Sequence, residues 1–281
     1  MNFTKIELSN GISMPCMAMG TNWMGYHELV KVLLAGFAVG IRAIDTARDY
    51  GNEPIVGKAL RTALKEAGLK REDIFVTTKI GNSQQRQGNI MEQINISLRN
   101  LRCEYVDLWL MHWPYPGYYQ STWQKMIEVY KTGKVKAIGV ANYDIRHFKQ
   151  LLAGNSEIIP MVNQMEYHPL RTAKELTGYM RSHSIRIQAY APLCRLAPPL
   201  KESGLLKALA EKYGKSLGQI ILRWHIQQGD VMPVFKTYKP ERFMENINVF
   251  DFNLTDEEMA EIDSLNQDYK YHLESASCPG Y

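Results

Sequence analysis

Asp45, Tyr50, Lys79 and His112 are the residues of this chain whose types could together move a proton. A free tyrosine titrates near pH 10 and gives up its proton reluctantly at neutrality. A neighbouring ammonium favours the phenolate and lowers that value. A carboxylate paired with the lysine would hold it charged and oriented, and a histidine beside the tyrosine could donate to a substrate carbonyl or share the proton. No nucleophilic Ser or Cys stands beside a partner base, which disfavours acyl transfer. No three-ligand cluster is visible, which disfavours metal hydrolysis. A tyrosine acid without a metal fits delivery of a proton to a carbonyl oxygen.

Each residue alone has a plainer explanation. Asp45 could cap a helix, Tyr50 could pack with its hydroxyl at a rim, Lys79 could snorkel to the surface, and His112 could be hydrogen-bonded scaffold. What joins them is position. Each lies at or just beyond the end of a short apolar run. Asp49, in AIDTARDYGNE (43–53), follows its run rather than ending it and reads as a loop residue.

Eight such runs are present: 16–20, 42–45, 74–80, 105–112, 136–142, 161–166, 186–191 and 231–236. They are nearly continuous in apolar and β-branched residues, as for parallel strands buried on both faces. Segments of helical period alternate with them, such as EPIVGKALRTALKEAG, with Pro54 placed for a first helical turn. Eight β/α alternations over 281 residues predict an α/β fold of the (β/α)8 TIM-barrel type, one domain over residues 1–281. An open doubly wound sheet would want a glycine-rich turn after the first strand, and no G-x-G-x-x-G occurs there. The opening residues FTKIELSNGISMP predict an added N-terminal β-hairpin turning at Asn10-Gly11, which could cap the barrel's bottom. The C-terminal tail, HLESASCPGY, is short. In a barrel of this kind active sites form at the C-terminal ends of the strands, where the four residues would converge.

Composition narrows the remainder. The net charge of +4 is too small to argue for nucleic acid, and no basic run is present. Cys16, Cys103, Cys194 and Cys278 are widely spaced and read as free thiols in a reducing cytosol. The N-terminus has no apolar h-region, and the most apolar helical stretch, residues 29–41, contains Lys31 and is too short to span a bilayer. These features predict a cytoplasmic protein, without membrane or nucleic-acid partners, acting as a monomer on a small molecule.

The strings GTNW (20–23), AIDTARDYGNE, TTKI (77–80), LMHWP (110–114), IGVANY (138–143), VNQMEYHP (162–169), QAYAPL (188–193) and VFKTYKPER (234–242), in that order, carry a resemblance. The chain resembles the aldo-keto reductases, NAD(P)H-dependent (β/α)8 barrel oxidoreductases, over essentially its whole length. The resemblance implies NADPH-dependent reduction of aldehydes or ketones to alcohols. Its catalytic tetrad falls on Asp45, Tyr50, Lys79 and His112, with Tyr50 the general acid, Lys79 lowering its pKa, and His112 orienting the carbonyl. It places Gly20, Thr21 and Asn22 at the cofactor, Asn142 and Gln164 on the carboxamide, and Tyr190 under the nicotinamide ring. Leu193, Cys194 and Arg195 match the loop covering the pyrophosphate. Lys236, Thr237, Arg242 and Asn246 match the clasp on the adenosine 2′-phosphate and adenine, favouring NADPH over NADH. Trp23, Tyr50, His112 and Trp113 would line the near substrate pocket, with Tyr115, Tyr118, Tyr119 and the tail farther out. The family usually has Ser where this chain has Ala141, so one carboxamide hydrogen bond would be missing. No metal is implied. The alternative is a family member kept as a cofactor-binding regulatory or structural subunit with little turnover, against which the intact tetrad argues.

Overall fold

The computed structural model describes residues 4–153 and 156–272. A two-stranded antiparallel hairpin comes first, β1 (Lys5–Glu7) and β2 (Ser13–Pro15), with Ile6 opposite Met14. Eight parallel strands follow and close on themselves: β3 (Ala18–Gly20), β4 (Ala43–Asp45), β5 (Phe75–Ile80), β6 (Leu108–Met111), β7 (Ile138–Ala141), β8 (Val162–Glu166), β9 (Arg186–Tyr190) and β10 (Val231–Phe235). Each lies within one of the eight runs read from the sequence, and β10 pairs back onto β3 to complete the barrel. The open doubly wound sheet is thereby excluded.

The strands are buried over nearly their whole length because the barrel fills one face and helices cover the other. In β5 every residue of FVTTKI is buried, the lysine included. The hairpin seals the end of the barrel away from the strand C-termini, as expected. Met14 is fully buried and its sulfur meets Gln188 Nε2 at 3.5 Å, and Arg186 Nε at the start of β9 donates to Glu7 O at 2.8 Å.

Two helix placements matter for the site. The helix Glu53–Ala67 follows the turn bearing Tyr50, with Pro54 in its first turn, as the sequence predicts. Its Glu53 carboxylate is buried and accepts from Thr78 Oγ1 of β5 at 2.7 Å, and from Ser97 and Asn100 of the helix Ile90–Leu101, each at 3.2 Å. One buried carboxylate so ties the start of this helix to the strand carrying Lys79. The same two helices approach at Gly57, where an added Cβ would fall 2.7 Å from Leu101 Cα. The second placement is the helix Leu217–Gln227, whose buried His225 meets Pro192 O through Nε2 at 3.0 Å and braces the loop after β9.

The loop after β5 carries a helix of its own, Asn82–Gln87. Cys16, Cys103 and Cys194 are free thiols, while Cys278 and residues 273–281 of the tail lie outside the described residues. No described helix is long and apolar enough to cross a membrane.

The Gly57 contact gives a direct test of the packing. Gly57→Ala forces backbone apart between the two helices, a rigid neighbour that cannot yield as a side chain would, and should cost about 1–3 kcal/mol of stability by denaturant melts. An unchanged midpoint would contradict the packing described.

Candidate active site

Lys79 is wholly buried near the end of β5, and burying an unpaired ammonium costs several kcal/mol. Its three hydrogen bonds are therefore informative. Lys79 Nζ lies 2.7 Å from Asp45 Oδ1, 2.9 Å from Thr46 O and 3.2 Å from the Tyr50 hydroxyl. Asp45 ends β4, next to β5 in the barrel, and the two strands are in register with Asp45 opposite Thr77. Its other oxygen accepts from Gln164 Nε2 of β8 at 2.8 Å, and that nitrogen also donates to Gln188 Oε1 of β9 at 2.8 Å. Carboxylate and ammonium are thus both held from more than one side.

Tyr50 closes a turn of 3-10 helix, Arg48–Tyr50, directly after β4. His112 follows the last residue of β6, and its ring meets that of Tyr50 edge-on, centroids 5.8 Å apart. The four residues singled out in the sequence therefore come together at one mouth of the barrel.

Their ionisation is set by burial and partners. Burial pushes the Tyr50 phenol above its ordinary value; the Lys79 charge pulls it back down but does not overcome burial. The lowering expected from Lys79 is present, and desolvation of the phenol is the larger effect. Tyr50 accordingly holds its proton at neutral pH. Burial by itself would depress Lys79, but the Asp45 carboxylate, followed by Tyr50 and the hydrogen bonds to both, lifts it above its ordinary value. Burial holds His112 below its ordinary value, against the opposing pull of its hydrogen bond to Asp49, so the ring is neutral at pH 7.

That hydrogen bond is the feature sequence reading missed. Asp49 was read as a loop residue, yet its Oδ2 lies 2.9 Å from His112 Nδ1. The only available signal was its place beside Tyr50; nothing local shows a contact with a residue 63 positions away.

The residues matched to a cofactor spread along the same mouth. Gly20 ends β3, the Thr21 hydroxyl donates to Asp45 O at 2.9 Å, and Lys236 Nζ donates to Asn22 O at 3.2 Å. Trp23 is exposed, with φ 60. Asn142, just past β7, adopts φ 64; its Nδ2 donates to His112 O at 3.0 Å and its Oδ1 accepts from Tyr190 OH at 2.8 Å. The loop after β9 runs through left-handed backbone at Cys194, Arg195 and Leu196. Cys194 is buried and burial pushes its thiol up to about 12, so only its backbone is available to a phosphate. Leu193 is half-buried, and the exposed Arg195 sets its guanidinium over the Tyr271 ring at 5.5 Å. Beyond β10, Thr237 is buried with its hydroxyl on Lys239 O, and Arg242 is exposed on the helix Glu241–Ile247, which also carries Asn246.

Of the aromatic residues assigned to a pocket, Trp113 is half-buried beside His112, and Tyr115 and Tyr118 stack on each other at 5.2 Å. Tyr119 belongs elsewhere. It is buried, edge-on to Tyr143 and His147, and so forms core rather than pocket wall. Tyr143 is buried in the same cluster, with its hydroxyl on Met111 Sδ.

The residues present suit a dinucleotide. Asn22 Oδ1 is buried and without a hydrogen-bond partner in the loop after β3, where the Asn22 backbone oxygen accepts from the Lys236 ammonium. Asn142 and Gln164 present amides at neighbouring strand ends, and Tyr190 an aromatic ring. Among the described residues no group of three His, Cys, Asp or Glu side chains could hold a metal ion.

A parallel eight-stranded barrel with Tyr50 and His112 gathered at its mouth around a buried Lys79–Asp45 pair defines the class of the protein. The model of the Aldo/keto reductase family matches residues 16–267. An uncharacterized oxidoreductase, YtbE of Bacillus subtilis, is 40% identical over 267 residues, covering 95% of this chain and 94% of that protein. The glyoxal reductase of the same organism is 39% identical over 264 residues, 94% and 93% of the two chains. The crystal structure of a Bombyx mori aldo-keto reductase in complex with NADP superposes with a TM-score of 0.91 at 32% identity, covering 100% of this chain and 99% of that one. The chain belongs to the aldo/keto reductase family and is an oxidoreductase.

The central ion pair can be tested without activity. Lys79→Met leaves the Asp45 carboxylate buried with no cation and should cost about 3–5 kcal/mol in denaturant melts. Asp45→Asn combined with Lys79→Met should recover part of that loss, because no uncompensated charge remains. Additive losses in the double variant would contradict the pairing.

Proposed function

We propose that this protein reduces aldehydes or ketones to alcohols with NADPH, and that Tyr50 delivers the proton. The observation that carries this reading is the Tyr50 hydroxyl 3.2 Å from a wholly buried, Asp45-paired Lys79. NADPH, when bound, supplies the hydride equivalent to the carbonyl carbon. The chain's own residues do the rest. Tyr50 keeps its proton at neutral pH and donates it to the carbonyl oxygen as negative charge develops there. The Lys79 charge beside the hydroxyl stabilises the phenolate left behind, and Asp45 holds that charge in place. His112 borders the same space, where its ring can orient the carbonyl when it has a proton to donate.

On the cofactor side, Asn142 and Gln164 would hold the carboxamide through their side-chain amides. Tyr190 would supply an aromatic face for the nicotinamide ring and so fix which face meets the substrate. Gly20, Thr21 and Asn22 line one side. The loop Leu193–Arg195 covers the pyrophosphate, through backbone groups at Cys194 and the guanidinium of Arg195. Lys236, Thr237, Arg242 and Asn246 clasp the 2′-phosphate and adenine, a cationic set that suits a phosphate dianion. Trp23 and Trp113 flank the substrate. Ala141 contributes no hydroxyl, so the carboxamide is held by one hydrogen bond fewer than where serine stands. The similarity to the glyoxal reductase of Bacillus subtilis supports small reactive carbonyls as the substrate class. A monomer acting in the cytoplasm is consistent with this chemistry.

Loss of NADPH absorbance with an aromatic aldehyde tests the reading. Tyr50→Phe should lower kcat about 10²–10⁴-fold, the usual size of a positioned acid's contribution. If wild type and Tyr50→Phe are equally inert, the cofactor-binding subunit is the better description. Arg242→Ala should raise KM for NADPH about tenfold, the loss of one charge-assisted contact, and leave KM for NADH unchanged. Equal use of NADH and NADPH by wild type would remove the 2′-phosphate clasp.

A further inference from the structure

Asp49 is not one of the four residues that the chemistry above requires. It sits on the exposed side of the turn Arg48–Tyr50, one residue before the proposed acid, and its carboxylate reaches the His112 ring. A second observation shows that the site is shaped around it. Gly81, immediately after β5, approaches so closely that an added Cβ would overlap the Asp49 carboxylate. With any other residue at 81 the carboxylate would be pushed off its place beside the ring.

The proton inventory of the contact is restrictive. A carboxylate can only accept, so the proton in the Asp49–His112 hydrogen bond resides on Nδ1. Neutral imidazole carries a single ring proton. If Nδ1 holds it, Nε2 has a lone pair and cannot donate to a carbonyl oxygen. The charged and titratable groups around the ring are Asp49 on its own turn, Asp45 from β4, Lys79 from β5 and the Tyr50 phenol. None of these supplies a second carboxylate to the imidazole; Asp45 is taken up by Lys79 and Gln164.

We propose that Asp49 is a positioning residue that fixes neutral His112 as its Nδ1–H tautomer, so that Nε2 is an acceptor in the neutral enzyme and a donor only after the ring takes up a second proton. This deepens the carbonyl-reduction reading and rests on it. The carbonyl oxygen needs donors. Tyr50 is one at any pH below its own titration, whereas His112 becomes the other only as imidazolium. Reduction of a plain alkyl or aryl aldehyde should therefore quicken as pH falls through the titration of His112. Burial keeps that titration on the acid side of the ordinary histidine value. The sign is fixed by the group: protonation turns an acceptor into a donor, so the gain lies at low pH and is absent at pH 8.

Two variants separate this from a merely structural role. Asp49→Asn can turn either its amide oxygen or its NH2 to Nδ1, so it keeps the contact without dictating the tautomer. Asp49→Leu removes it, freeing neutral His112 to carry its proton on Nε2. Nitrogen-15 NMR of labelled histidine, at pH 8 and without cofactor, reads the tautomer directly. Wild type should show a protonated Nδ1 and a bare Nε2, and Asp49→Leu should shift toward Nε2–H. In parallel, kcat/KM for benzaldehyde should rise about tenfold from pH 8 to pH 5.5 in wild type, and less than about threefold in Asp49→Leu, which gains at pH 8. A bare Nδ1 in wild type overturns the inference, as does a tautomer and pH ratio that Asp49→Leu leaves unchanged. Wild type that turns over no aldehyde at any pH would sink the carbonyl-reduction reading instead, while the NMR result would still decide what Asp49 does to His112.

Discussion

An ammonium sealed inside a barrel is the constraint around which the mouth of this protein is arranged. Lys79 has no water to solvate it, so its charge must be met by the chain. Asp45, Thr46 O and Tyr50 meet it, and they arrive from β4 and the turn beyond it. Asp45 in turn is held by Gln164 from β8, on the far side of the barrel. The pair is unremarkable as a source of stability, since a buried salt bridge at best offsets its own desolvation. Its consequence is chemical: it sets a fixed positive charge against the Tyr50 phenol, the proposed proton donor.

The barrel supplies this geometry cheaply. Parallel strands in register bring residues far apart in the chain to one rim, at the C-terminal ends where loops can vary without disturbing the core. Glu53 adds a second buried carboxylate that locks the helix after Tyr50 to β5 and to the helix Ile90–Leu101. The turn bearing Asp49 and Tyr50 is thus clamped at both ends, by Asp45 before it and Glu53 after it. The Asp49 and Tyr50 side chains can therefore be held within reach of His112 just past β6 and of Lys79 on β5.

Much of this was legible in the sequence because strand ends are. Asp45, Lys79 and His112 each terminate or nearly terminate an apolar run, and in a barrel such residues must share a rim. Tyr50 was found through its neighbours. The eight strands were legible because runs buried on both faces leave no polar alternation, and the hairpin because Asn10-Gly11 is a strong turn signal. What the sequence could not carry were contacts decided by side-chain direction. Asp49 differs from any surface aspartate only in pointing at His112 across a gap that Gly81 leaves open. Tyr119 differs from its neighbours Tyr115 and Tyr118 only in beginning a helix whose inner face it occupies. The net direction of the Tyr50 shift was likewise out of reach, because it depends on how completely the phenol is desolvated as well as on the charge beside it.

The central claim, that Lys79 acts on Tyr50 through its charge while burial keeps the phenol protonated, is tested most directly by titrating Tyr50 itself. Carbon-13 NMR of ring-labelled tyrosine, assigned by Tyr50→Phe, reads the ionisation in wild type and in Lys79→Met. The account predicts that Tyr50 in wild type titrates above the ordinary tyrosine value and that removing Lys79 drives it higher still. A Tyr50 that titrates below that value in wild type, or that does not move when Lys79 is replaced, would contradict it.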